Sequence, residues 1–205
     1  MAENAPLQAS KRRAAAFSSA RLLPCAVALL AFTSFGPRLH AQSRPSQYDV
    51  EAAYLLDFGR FTQLSTGSQA LRRATFDICI IGRDPIGPSI DKLAANDNVD
   101  GRAVRVLHGI DASQARTCAI ALIGTHAGDA VREDLDMLSS SDVLTVGDSP
   151  DFLNDGGMIQ FVMQKNHVRF AVNLNAVRKA HVVLSSQLLR VALYVKGEPR
   201  LEVGR

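Results

Sequence analysis

Strand and helix patterns alternate between residues 76 and 146. That alternation predicts an α/β fold: a single layered domain on a mixed, partly parallel sheet flanked by helices, closed by a C-terminal β-hairpin and helices. Two further observations support it. FDICII (76–81) and CAIALIG (118–124) are nearly continuous apolar runs, as interior strands covered on both faces require. Downstream, MIQFVMQ and HVRFAV alternate in period two about Lys165-Asn166, and Asn tolerates the positive φ that a tight hairpin turn demands.

The chain of 205 residues begins with a stretch that stands outside this pattern. Lys11, Arg12, Arg13 and Arg21 precede an apolar run at 22–35, Gly36-Pro37 breaks it, and Ala41 offers a small residue before Gln42. Residues 1–41 therefore read as a secretory signal peptide cleaved between Ala41 and Gln42. The run is shorter than the roughly 20 residues that span a bilayer, which disfavours a retained anchor. Cys25 opens the apolar run instead of closing it, so a lipoprotein signal does not fit. Residues 42–47 (QSRPSQ) read as a polar linker, and 48–205 as the folded domain.

Residues 48–61 are expected to form a helix with Val50, Ala53, Tyr54, Leu56 and Phe61 on its apolar side. Arg60 sits near its C-terminus, where a cation suits the helix dipole. Residues 62–74 read as a loop and 76–81 as a strand. Pro85 is placed to start a helix that buries Ile86, Ile90, Leu93 and Ala94. A turn at 96–101 leads into an alternating strand at 102–107. The strand opened by Cys118 is followed by an amphipathic helix at 129–138, with Val131, Leu135 and Leu138 inward, and a strand at 142–146. After the hairpin, Asn173 caps a short helix and Ser185 or Ser186 a longer one carrying Leu188, Leu189, Ala192 and Leu193.

Loss of residues 1–41 removes Lys11, Arg12, Arg13, Arg21 and Arg38 against Glu3 alone, leaving 18 Lys+Arg and 19 Asp+Glu, a net charge of −1. Bulk charge thus offers no case for nucleic acid. Cys79 and Cys118 remain. In an oxidising compartment a disulfide is the first expectation, with two buried free thiols as the alternative.

The candidate chemistry is sparse. Neither the turn at 81–87 nor that at 146–150 has a phosphate-binding spacing, and plain strand-to-helix turns account for both. Asp148, Asp151 and Asp155 lack the alternation and closing Glu of a calcium loop, and Asp148 or Ser149 is read as a helix N-cap. His108, His126, His167 and His181 stand in no metal-ligand pair, and no nucleophile elbow is present. Three arginines offer a binding chemistry instead. Arg169 interrupts an apolar strand, Arg178 lies in the short helix after it, and Arg60 ends the first helix. Each is able to hold a carboxylate or phosphate bidentately, or to remain a solvated side chain.

Several stretches together resemble the YfiR-like family: AAYLLDFGRF, ICIIGRDPIGPSI with DGRAVRV after it, VLTVGD, GGMIQFV, VRFAVNLNAVRKA and SSQLLRVA, spread over 48–195. The resemblance implies a periplasmic repressor that binds the periplasmic sensor region of an inner-membrane diguanylate cyclase, lowering cyclic di-GMP and biofilm formation. It also implies sequestration by an outer-membrane lipoprotein, and Cys79 and Cys118 match a family disulfide. The chain departs from its relatives in three ways. No second cysteine pair lies at 153–160, the loop after Phe61 is TQLSTGSQALRR, and His181 replaces a glycine that often follows the short helix. The sequence reading is therefore an exported regulator and homodimer without enzymatic activity, cofactor or metal. The alternative is a periplasmic binding protein in which Arg169 and Arg178 grip an anionic metabolite, and a hydrolase stands third.

Overall fold

The computed structural model describes residues 44–124 and 129–197. The expected signal peptide and its cleavage point, and His126, lie outside the described residues. In chain order the elements are α1 (Gln47–Arg60), β1 (Thr62–Gln63), a 3-10 turn (Gln69–Arg72), β2 (Phe76–Ile81), α2 (Gly87–Ala94), β3 (Asn98–Val99), β4 (Arg102–Leu107) and α3 (Ala112–Ala115). They continue with β5 (Ile120–Ile123), α4 (Asp129–Leu138), β6 (Leu144–Gly147), β7 (Ile159–Gln164), β8 (His167–Asn173), α5 (Leu174–Lys179), β9 (Val183–Leu184), α6 (Ser186–Val191) and β10 (Val195–Lys196).

Among the described residues, eight strands form one sheet in the order β10-β8-β7-β6-β5-β2-β4-β3, and β1 pairs with β9 as a separate ribbon. Strands β4, β2, β5, β6 and β7 run parallel, while β8 returns antiparallel to β7. The expected mixed α/β class is what forms. Within it, all six residues of β2 are buried. On one face of the sheet, Ile78 and Ile80 of β2 pack with Ala52, Leu55 and Phe58 of α1 and Ile90 of α2. On the other, Cys79 and Ile81 pack with Ala112 and Ala115 of α3 and Val131, Leu135 and Leu138 of α4.

The first helix differs in phase from the expectation. It starts at Gln47, inside the expected linker, because Ser46 and Asp49 close a capping box: the Asp49 N–H donates to Ser46 Oγ at 3.2 Å and the Ser46 N–H to Asp49 Oδ2 at 2.8 Å. Its buried face is Ala52, Leu55, Leu56, Phe58 and Gly59, while Ala53 and Phe61 are exposed. Gly59 explains the shift. A Cβ there would stand 2.8 Å from Phe76 Cζ, so the missing side chain lets α1 lie directly on β2.

Other departures have local causes. Helix α2 begins at Gly87 with Pro88, not Pro85, in its first turn, and Leu93 is exposed. The turn at 96–101 is a hairpin, with β3 paired to β4 about Asp100 and Gly101, both at positive φ. The loop at 62–74 contains β1 and a 3-10 turn. The apolar run from Cys118 becomes strand only at Ile120, because the Cys118 N–H still bonds to Ala115 O at the end of α3. Strand β6 starts at Leu144, two residues later than expected. No helix follows Asp148 or Ser149. The chain winds there in turns around the fully buried Phe152, whose ring lies within 2.5 Å of where a Cβ on Gly147 or Gly157 would stand. Helix α6 stops at Val191, since residues beyond it run along β8, with Leu193 N–H on Phe170 O at 2.7 Å, and enter β10.

Candidate functional site

The hairpin matches its expected form. Lys165 and Asn166 both take positive φ at its tip, and the register pairs Ile159 with Val172, Phe161 with Phe170 and Met163 with Val168. These six side chains therefore share one face. Over its inner half lies α1. Phe58 and Phe170 meet edge to face at 5.0 Å between centroids, and Tyr54 and Phe170 at 5.5 Å. Toward the tip the cover ends, and Met163 is left 48% exposed.

A groove of about 990 Å³ opens at that point, between the first turns of α1 and the hairpin tip. Val50, Tyr54, Met163 and Val168 supply its apolar walls, and Arg44, His167 and Arg169 its rim, with no carboxylate in the lining among the described residues. Arg169 is steadied by a 3.2 Å bond from Nη2 to Val191 O. His167 Nδ1 lies 2.8 Å from Lys165 O. A carbonyl only accepts, so Nδ1 carries a proton and donates it to that bond.

Of the three arginines singled out by sequence, the structure brings only Arg169 to this groove. Arg60 lies at the far end of α1, between Asp57 (2.9 Å) and Asp97 (2.5 Å), and the bond to Asp97 raises the guanidinium pKa still further. It ties α1 to the turn before β3. Arg178 donates to Gly197 O at 3.0 Å, holding the end of α5 to the residue after β10. Both tie one part of the fold to another, and neither lines the groove.

A disulfide joins Cys79 on β2 to Cys118 just before β5, with the Cα atoms 6.1 Å apart and both residues buried. Parallel α/β sheets usually take small ligands where the strand order reverses, outside the carboxyl ends of the strands. Here that point lies between β2, which leads to β4, and β5, which leads to β6. Gly124 packs so closely on the loop after β2 that an added Cβ would lie 1.8 Å from Arg83 O. Among the described residues no cluster of His, Cys, Asp or Glu is placed to hold a metal. His108 bridges Asp84 (2.6 Å) and Asp91 (2.9 Å), which occupy both ring nitrogens. Glu51 is buried, which raises its pKa against the lowering effect of its bond from Gln47.

The model of the YfiR/HmsC-like family matches residues 48–193, nearly the whole described domain. The chain belongs to that family. YfiR/HmsC-like proteins are periplasmic and regulatory rather than catalytic, known for controlling diguanylate cyclases, and a buried disulfide accords with an oxidising compartment. No curated protein matches the sequence. Among solved structures, the chain is similar to a conserved domain protein from Vibrio cholerae O1 biovar El Tor, with 10% identity, a TM-score of 0.49, and 75% of this chain and 62% of that one covered. It is also similar to an ABC domain in complex with L-Trp from Streptococcus pneumonia, with 7% identity, a TM-score of 0.38, and 62% and 60% covered. The chain thus spans about three fifths of the length of either.

Within this YfiR/HmsC-like domain the groove draws on residues that sequence reasoning did not assemble. Arg44 fell in the linker, Tyr54 in a core stripe, and Met163 on a buried strand face. One signal does point to the region. From Gly156 to Gly197 there is no Asp or Glu, against Lys165, Arg169, Arg178, Lys179, Arg190 and Lys196. The net charge of −1 for residues 42–205 conceals this, since the acidic residues before Gly156 balance the cationic part.

Proposed function

We propose that this chain is a periplasmic negative regulator, exported by a signal peptide at 1–41, whose domain at 48–205 binds the periplasmic region of an inner-membrane diguanylate cyclase. Binding holds the cyclase inactive and lowers cyclic di-GMP and biofilm formation. An outer-membrane lipoprotein would release the cyclase by sequestering the regulator, which acts as a homodimer. The observation that carries the reading is the groove between α1 and the hairpin tip in a member of this family. It is open and elongated, with an apolar floor and a rim of Arg44, His167 and Arg169. Such a surface suits a protein segment with acidic and apolar side chains. An equilibrium between free and bound regulator is enough to switch the cyclase, and no reaction is required.

The same cationic rim supports a second reading, a binding protein for an anionic metabolite, with Arg169 but not Arg178 in contact. Deletion of the gene separates the two. The first reading expects cellular cyclic di-GMP to rise and a membrane cyclase to co-purify with the tagged protein. Unchanged cyclic di-GMP with no cyclase recovered would sink it.

A further inference from the structure

The part of the chain without carboxylates presents a continuous strip along the sheet edge. It begins at Met163 and Lys165 at the hairpin tip and passes Arg169 on β8. Residues 190–194 follow, held against β8 by Arg169 Nη2 on Val191 O (3.2 Å), Leu193 N–H on Phe170 O (2.7 Å) and Val172 N–H on Tyr194 O (3.1 Å). Along it Met163, Val191 and Tyr194 are each about half exposed, at 48%, 57% and 50%. Lys165 and Arg190 are exposed, and their side chains make no ion pair or hydrogen bond among the described residues. Of the carboxylates in the first two turns of α1, Asp49 accepts from Ser46 and Ser89, and Glu51 is buried and accepts from Gln47.

We propose that this strip docks the protein on an anionic lipid bilayer, with Lys165, Arg169 and Arg190 over the headgroups and Met163, Val191 and Tyr194 at the interface. Aliphatic and tyrosine side chains among cations are what an interfacial contact requires. The cations offer a diffuse positive field, because the donors of Arg169 are partly committed to its own backbone and Lys165 and Arg190 are isolated. A field of that kind suits an extended charged surface. A second copy of the chain is a poor occupant, since a two-fold contact would bring cations against cations. Among the described residues no helix is long and apolar enough to cross a membrane, so the contact is peripheral.

The test is co-sedimentation of the chain from Gln42 onward, which contains the described core, with vesicles of phosphatidylglycerol and phosphatidylethanolamine or of phosphatidylcholine alone. The vesicles hold no protein, so the result does not depend on the cyclase reading. Binding is expected only to the anionic vesicles and is weakened by salt. Each neutralised cation should lower partition about fivefold, and the variant K165E/R169E/R190E by at least about a hundredfold. Arg116→Glu, remote from the strip, should bind as the parent does. Equal binding to phosphatidylcholine, or full binding by the triple variant, would overturn the proposal. No binding to anionic vesicles would overturn it as well and leave an acidic protein surface as the occupant. If the triple variant fails to fold, Lys165→Ala and Arg190→Ala, both at exposed positions, decide the matter by the same assay.

Discussion

Among the described residues the Arg–Asp ion pairs all lie before Gly156, and no Lys or Arg from Gly156 to Gly197 has a carboxylate partner. In the first region Asp77, 1% exposed, takes Arg105 at 2.6 Å and Arg73 at 3.4 Å. Arg60 bridges Asp57 and Asp97, Arg132 meets Asp155 at 2.6 Å, and His108 spans Asp84 and Asp91. In the second, Arg169 and Arg178 donate to backbone carbonyls and Lys196 to the Asn154 amide at 2.9 Å, all neutral acceptors. The difference separates two uses of an arginine. Paired with a carboxylate it holds the fold together and adds little field outside. Bonded to a carbonyl it is held in place with its charge intact. The first region is therefore the scaffold and the second the surface, and substitutions in each should fail in different assays.

The largest effect expected in the scaffold comes from the disulfide. Cys79 and Cys118 are 39 residues apart in sequence, and on the chain-entropy model the cross-link stabilises by about 4 kcal/mol. Cys79→Ala with Cys118→Ala, or reduction of the parent, should lower the urea midpoint accordingly and leave the groove variants' relative binding unchanged. A midpoint indifferent to reductant would remove the disulfide from the account of stability.

Next in size is Asp77. Burial alone would raise its pKa, but hydrogen bonds from Arg105 and Thr75 and the charges of Arg105 and Arg73 outweigh that, so the net shift is downward. Its contribution is present above the ordinary carboxylate value of 3.8 and is lost as pH falls through the lower folded value. Asp77→Asn should destabilise at neutral pH by about 2 kcal/mol. It should also flatten the acid limb of the stability profile, read from urea unfolding at a series of pH values. A variant whose acid limb matches the parent's would show that the pair does not stabilise the scaffold as drawn.

How much of this was readable from sequence follows from the range of each interaction. Strand β2, helix α4 and the hairpin were readable because their apolar periods are complete within the element. The two-residue strands β3, β9 and β10 contain no period at all, and each exists only through a partner strand. Helix α1 was mis-phased because its closest approach to the sheet is made by Gly59, which contributes no hydrophobicity. At the site, Arg169 stood out as a charge within an apolar strand. Arg60 and Arg178 looked equivalent to it, because their partners Asp97 and Gly197 lie 37 and 19 residues away in sequence. The missing carboxylates after Gly156 were in plain view, but a net charge taken over the whole chain averages them out.

The smallest effect on the fold, and the one that tests the comparison most directly, is at Arg169. Its side chain's one hydrogen bond within the described residues is to Val191 O on an exposed edge, so Arg169→Ala should alter stability by no more than about 0.5 kcal/mol. Its loss removes the cation at the centre of the groove's rim, where the floor of Val50, Tyr54, Met163 and Val168 remains. Regulation should therefore weaken while the protein stays folded. Cellular cyclic di-GMP would rise toward the level of the deletion strain with the amount of regulator unchanged on an immunoblot. Arg169→Lys keeps the charge but not the fork, and full repression by that variant would mean that the rim acts through charge alone. If Arg169→Ala instead lowered the unfolding midpoint as much as Asp77→Asn does, the arginine would belong to the scaffold and the division between the two regions would fail.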